Sequence, residues 1–320
     1  MKTKVMDTTP AKNSTPAKST GPNKLLFGLS DTQHMMFAFG DSRRPNIETA
    51  KIVESFVLAQ VTEIIHETVK ASHLRGFKMI QLESIVFLMR GSPLKIQRLI
   101  RYLSAKEIAK RATKVSDGEV EENKKKTLMT RCKEFIESID DTGTLLAACN
   151  EQYFDEFYHE RLLKNDRITK SMDAKKYEEF CKARVVGFRG SYSVKFQAAL
   201  EELYGSLDLK VEKIAQEVIA YLAYETLGQL VGMCLVLRRD AIRDPVSRVT
   251  PALAVNTEYP SIHIPVTEAG DTKAELPGHP ITPAEVREVI RRLQQTAYTG
   301  RPLSRGARYR PVSTMPLIAI

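Results

Sequence analysis

One feature constrains this 320-residue chain more than any other: a long amphipathic helix with only short helices beside it in sequence. Asn46 can cap a helix whose apolar residues Val53, Phe56, Val57, Val61, Ile64, Ile65 and Val69 recur at intervals of three and four. The pattern runs to about Leu74 and stops at Gly76, a length of roughly 40 Å at 1.5 Å per residue. Before it, Ser30-Asp-Thr-Gln33 reads as a capping box opening a short helix with Met35, Met36, Phe37 and Phe39, which Gly40 ends. After it, Phe77–Ile80 can pair as a brief strand, and Gln81–Arg90 forms a short helix with Leu82, Ile85, Val86 and Met89 on one face. Two short helices cannot cover the stripe of a long one. Packing supplies most of a helix's stability, so this unit is expected to be half of a pair, with a second long helix across it.

The other half is written later in the same chain. Pro93 opens a fourth helix carrying Ile96, Leu99, Ile100 and Leu103. Residues 111–127 are charged and read as a linker or an exposed helix. Helical stretches through Phe135–Ala148, Phe154–Leu163, Tyr177–Val186 and Val194–Leu203 lead to a long helix over Leu209–Asp240. Residues 241–280 hold six of the 15 prolines and read as a loop. Thr282-Pro283-Ala-Glu285 is a capping box with Pro at the first helical position, opening a short last helix with Val286, Ile290 and Leu293. Short, long, short thus occurs twice. Residues 1–24 are rich in Ser, Thr, Pro and Lys, repeat the tetrapeptide TPAK, and read as a solvated, disordered leader.

Composition narrows the class. Hydrophobic residues are 42% and charged residues 27%, enough for a core. The longest apolar stretch, Val218–Leu237, is interrupted by Glu225, Gln229 and two glycines, and the N-terminus lacks the apolar segment of a secretory signal. Cysteines at 132, 149, 181 and 234 show neither metal nor redox spacing, so free thiols are expected. No tryptophan and only 7% aromatic residues weigh against a β-sandwich. A net charge of +9 permits a polyanionic partner without naming one.

Catalytic signatures are weak. Asp140-Asp-Thr-Gly-Thr144 contains the Asp-Thr-Gly of aspartic proteases, but that chemistry needs two such loops sharing a proton, and one helical copy reads better as a terminator with Gly143 as the stop. No His pair has metal-ligand spacing; His66 and His73, seven apart, read as ordinary surface or packing residues. No glycine-rich phosphate loop is present. No enzyme, catalytic residue, metal or cofactor is expected.

The motifs themselves resemble a known family. Met35-Met36-Phe-Ala-Phe-Gly-Asp41, Arg44-Pro-Asn-Ile-Glu-Thr49 and Leu82-Glu-Ser-Ile-Val-Phe-Leu-Met-Arg90 resemble the thirteenth TFIID-associated factor. Glu217-Val-Ile-Ala-Tyr-Leu-Ala-Tyr-Glu-Thr226 and Pro283–Leu293 resemble its partner, the eleventh. One family joins both: the Suppressor-of-Ty-three transcription-initiation proteins of the SAGA coactivator. The likeness extends through Ile139–Ala147, Met172–Cys181 and the closing Tyr309-Arg stretch, and covers about 25–112, 128–240 and 280–311. It implies an all-α chain of two histone folds forming an intramolecular handshake pair. It also implies a nuclear, non-enzymatic coactivator subunit that sits among other histone-fold and core subunits of SAGA and helps deliver the TATA-binding protein to promoters.

The expected layout is a tail over 1–29, a first histone fold with a helical extension over 30–111, a charged linker and helical connector over 112–170, a second histone fold over 171–310 with its proline-rich insertion at about 241–280, and a tail over 311–320. The expected pairing core is Met36, Phe37, Val53, Val57, Val61, Ile64, Ile85, Val86, Leu222 and Leu230.

Two sets of polar residues stay open. Glu225 is the only acid between Glu217 and Asp240, in apolar company. It must be paired, solvated or at an interface, because an unpaired buried carboxylate costs several kcal/mol. Either it lies on a wet stripe with Tyr221, Gly228 and Gly232, or it contacts a basic partner such as the TATA-binding protein; in the second case reversal to Lys should spare folding. Arg43, Arg44, Arg75 and Lys78 fall at the two inter-helix loops of the first unit, where histones grip phosphate. Arg287, Arg291, Arg292, Arg301, Arg305, Arg308 and Arg310 cluster near the C-terminus. These support a rival reading, a histone-like protein that touches DNA directly, against a solvated surface or pairing with acidic neighbours.

Overall fold

The computed structural model describes residues 29–116, 127–189, 194–243, 279–299 and 317–320. The TPAK leader, nearly all of the proline-rich insertion and Arg301, Arg305, Arg308 and Arg310 lie outside the described residues. The elements are α1 (Leu29–Ala38), α2 (Ile47–Leu74), β1 (Met79–Ile80), α3 (Leu82–Leu88) followed by a single 3-10 turn, α4 (Pro93–Ser116), α5 (Leu128–Ile139), α6 (Thr144–Cys149), α7 (Glu156–Lys170), α8 (Ala174–Val185), α9 (Val194–Ser206), β2 (Lys210–Val211), α10 (Lys213–Arg243) and α11 (Pro283–Thr299). Among the described residues the chain is all-α apart from the two-residue strands.

Local chemistry explains most boundaries. The Asn46 side chain accepts from Glu48 N at 2.8 Å and starts α2, and Gly76 ends it at a φ of +77°. Thr282 and Glu285 cap α11 reciprocally: Thr282 N donates to the Glu285 carboxylate, and Glu285 N donates to Thr282 Oγ1. α11 has 17 residues, longer than the spacing of Val286, Ile290 and Leu293 suggests. The expected capping box at Ser30 does not form. α1 already includes Leu29, and the Gln33 amide donates to the Pro45 carbonyl instead. Gly143 is likewise corrected: it stands left-handed immediately before α6 and begins a helix. Asp140 ends α5, and its carboxylate accepts from Leu146 N in the first turn of α6 at 2.8 Å.

Two short–long–short units pack on each other, α1–α2–α3 and α9–α10–α11, and α2 against α10 is the most extensive helix packing. β1 pairs in parallel with β2, Met79 opposite Lys210 and Ile80 opposite Val211. The loop after α2 therefore meets the loop before α10. At the other end, the loop before α2 meets the segment before α11: Ile281 N donates to Asp41 Oδ1 at 2.9 Å, and Thr49 Oγ1 donates to the Ile281 carbonyl at 2.7 Å. These two joints run α2 and α10 antiparallel. By length and composition α10 could cross a membrane, but most of its apolar stretch is buried inside the protein, as in a core helix.

Met36, Val53, Val57, Val61, Ile64, Ile85, Val86, Leu222 and Leu230 all lie in the one large core. Phe37 does not. It points the other way and packs edge-on against Phe180 of α8, ring centroids 5.4 Å apart, in a small cluster with Ala38 and Ala183. Phe37 lies about 100° around α1 from Met36, on the side that faces α8 rather than the large core. The closing residues also differ from a tail: Ile318 and Ala319 are buried in the core, Ile318 N donates to Gln60 Oε1, and Lys95 Nζ donates to the Ile320 carbonyl. All four cysteines are free thiols.

Candidate interaction surface

The connector helices decide what the pair shows to the outside. α5 carries Arg131, whose guanidinium binds Glu83 at the start of α3 and Glu212 just before α10. Glu212 also accepts from Leu82 N at 3.2 Å. One arginine thus ties both units at the β1–β2 joint. The other joint has its own: Arg238 of α10 holds Glu285 at 2.7 Å and donates to the carbonyls of His279 and Pro280. Asp41 is buried beside this second joint, and burial pushes its carboxyl up, partly countered by the Ile281 and Ser42 N–H groups. None of Arg131, Arg238 or Asp41 stands out in the sequence, because each joins segments far apart along the chain.

α7 is laid over α10. Asp155 caps it, accepting from Tyr158 N at 3.0 Å, and is itself gripped by both arms of Arg98 at 2.6 and 2.7 Å. Gln97 fixes the preceding turn by bonding both N and O of Tyr153. Among its own residues α7 buries only Ile168. Its contact with α10 is made by long side chains. Arg161 comes within 3.8 Å of Glu225, Phe157 packs over Gly232, and Lys164 reaches Gly40, which Leu235 of α10 also approaches.

Glu225 is accordingly only 8% exposed. Of the three states open to it, it adopts pairing, with Arg161. The stripe it shares with Tyr221, Gly228 and Gly232 is not wet. Tyr221 stacks on Tyr102 of α4 with ring centroids 4.4 Å apart. Gly228 lies under Phe39, so close that a Cβ there would meet the ring at 2.4 Å. Reaching Glu225 from outside requires α7 to move.

The basic loop residues are placed unequally. Arg43 makes two 2.6 Å bonds to Glu179 of α8. Arg75 donates to Ser84 Oγ at 3.0 Å and lies over the Phe77 and Phe135 rings. Arg44 and Lys78 are exposed. On α11, Arg291 and Arg292 both bind Glu288, which they hold down to about 2. His66 and His73 are both exposed on α2. Apolar side chains are exposed at and just before α7: Phe154, ahead of its cap, is 73% exposed, and Leu162 and Leu163 of the helix are also at the surface.

The sequence is similar to those of known proteins. The family model for the 18 kDa subunit of transcription initiation factor IID matches residues 28–118. The SAGA complex subunit Spt3 of Drosophila melanogaster is 26% identical over 281 residues, covering 86% of this chain and 68% of the relative. SPT3 of Saccharomyces cerevisiae is 40% identical over 82 residues, 26% of this chain and 24% of that protein. Human transcription initiation factor TFIID subunit 13 is 37% identical over 97 residues, 30% of this chain and 75% of that protein. Helical architecture and matches together define a histone-fold subunit of the transcription-initiation machinery. Because the likeness to Spt3 runs through both helical units and the connector, the chain belongs to the Spt3 family.

Proposed function

We propose that this chain is a nuclear, non-enzymatic adaptor of a SAGA-type coactivator, and that it helps deliver the TATA-binding protein to promoters. On this reading both short–long–short units are histone folds in an intramolecular handshake, the first over 30–111, the second over 171–310, with 112–170 as connector. The observation that favours an adaptor over a DNA-gripping histone is the state of the loop arginines. Arg43 is spent on Glu179 and Arg75 on Ser84 and two aromatic rings, all within the chain. Phosphate contact through these two would first break internal bonds, while Arg44 and Lys78 stand exposed beside them. Two supports come from the relatives: proteins similar to the whole chain carry the name of SAGA subunits, and one similar to the first unit is a TFIID subunit.

Contact with the TATA-binding protein through Glu225 belongs to this proposal, and it requires α7 to lift. The test is a pulldown of the TATA-binding protein by the full chain at low and moderate salt, beside a size measurement of the chain alone. A monomer that captures the protein supports the adaptor. A chain that ignores it and binds duplex DNA with a steep salt slope establishes the histone-like rival.

A further inference from the structure

A cavity of about 350 Å³ lies where α4, the segment after α8, α9 and the first turns of α10 meet. Its volume is at the lower end for small-ligand sites. Three cations from three different elements line it: Lys106 of α4, Arg189 after α8, and Lys213 of α10. Their charge is poorly balanced. Glu217 of α10 pairs with Lys106. Arg189 is held not by a carboxylate but by Tyr102, donating to its hydroxyl at 2.5 Å and lying 4.8 Å from its ring centre. Lys213 has no carboxylate at ion-pair distance among the described residues, and Glu201 is exposed at the rim.

Burial pushes the Lys106 ammonium down to about 8, and Arg189, Lys110 and Lys213 push the same way. A second observation is independent of charge. Tyr204 of α9 lines the cavity, is only 5% exposed, and its hydroxyl has no hydrogen-bond partner among the described residues. An orphaned buried hydroxyl is costly unless something completes it. The cavity also runs along the first two turns of α10, near the positive end of its dipole.

We infer that this cavity is an anion site that takes a phosphate monoester, held by Arg189, Lys213 and Lys106 with the Tyr204 hydroxyl as fourth donor. Three cations against Glu217 and the rim carboxylate Glu201 leave a net charge of one, so the lining favours an anion. A guanidinium beside two ammonium groups and a phenol suits a tetrahedral group with several acceptor oxygens. The same chemistry can arrive as a free phosphate ester or as a phosphorylated side chain of a partner.

The experiment titrates the full chain with pyrophosphate and, separately, with a phosphoserine peptide and its unmodified serine counterpart, at constant ionic strength balanced with chloride. Binding is read by calorimetry and by the shift in Tm. Saturation by pyrophosphate alone assigns a free phosphate compound; saturation by the phosphopeptide but not the serine peptide assigns a modified side chain; either supports the site. The double variant Arg189→Gln/Lys213→Gln should weaken that binding at least tenfold. Tyr204→Phe should weaken it several-fold while leaving the Tm without ligand unchanged or higher, and Arg44→Gln should change neither. Failure of both probes to saturate, or undiminished binding by the double variant, overturns the proposal.

Discussion

Ile281 N donates to Asp41 Oδ1 at 2.9 Å across 240 positions of sequence, and this bond closes one end of the paired helical units. The carboxylate accepts from Ser42 N as well, so it fixes two backbone segments from a buried position. At the opposite end, the parallel strands β1 and β2 do the same work with backbone atoms. Two unlike joints hold two like units.

The first prediction concerns the clamp at the strand joint. Arg131→Leu leaves Glu83 and Glu212 facing each other with only Arg75, near Glu83, as counter-charge. All three side chains are partly exposed, so solvent screening reduces the loss to about 1–3 kcal/mol, read from urea midpoints. Replacing both acids by Gln in the same variant should recover part of it. An unchanged midpoint for Arg131→Leu would remove the clamp from the account.

The second concerns pH. Burial pushes the Asp155 carboxyl up, but the paired Arg98 guanidinium and the Tyr158 N–H outweigh burial and hold it below the usual carboxylate value. A depressed carboxylate stabilises the fold above its unfolded value, near 3.9 by model peptides, and loses that contribution as pH falls through the lower folded value. Arg98→Met should cost about 2–4 kcal/mol at neutral pH. Burial then dominates Asp155, its folded value rises above the unfolded one, and the deficit of the variant narrows on acidification. Unfolding curves between pH 7 and 3 check the sign.

The third concerns close approach. Gly228→Ala drives a methyl into the Phe39 ring, which cannot retreat without disturbing Tyr224, 4.8 Å away between centroids. Overpacking of this kind costs about 1–3 kcal/mol. Adding Phe39→Leu should restore part of the loss, which a general helix defect would not show.

The fourth concerns Glu225. Reversal to Lys places an ammonium beside Arg161, with Arg98 also near, on a face covered by α7. We expect a clear fall in thermal stability, about 2 kcal/mol or more, where a surface carboxylate would show almost none. Glu225→Gln should cost much less. A partner-binding assay is therefore better made with Gln.

The fifth concerns the closing residues. Ile318→Asp puts a carboxylate into the core next to α2 and should cost about 2–4 kcal/mol. A midpoint shift below about 0.5 kcal/mol, the range of ordinary surface changes, would show that the segment is not part of the core.

The long helices were legible because their stability depends on a periodic face: Val53, Val57, Val61 and Ile64 recur at four, four and three, and all are buried. The capping box at Thr282 was legible for a similar reason, since both partners lie within one turn. Ser30 and Gln33 show the limit of that logic, because Gln33 found a better acceptor in Pro45, twelve residues away. Phe37 was misassigned because apolar character says that a residue is buried, not against what. The Glu225 environment was the least legible. It is built by α7, whose sequence carries a low apolar content and whose covering residues, Phe157, Arg161 and Lys164, act through their length rather than a hydrophobic stripe.

The connector that runs from α5 to α8 makes the pairing of α2 with α10 a property of one molecule. Tethered partners meet at an effective concentration set by the tether, of the order of millimolar for short flexible linkers, whatever the dilution of the protein. Stoichiometry is then fixed at translation. Two separately made subunits must find each other and can be exchanged for rivals; halves of one chain are synthesised in equal number and are not released to other partners when the pair opens. Unfolding of this chain should accordingly show a midpoint that does not move with protein concentration.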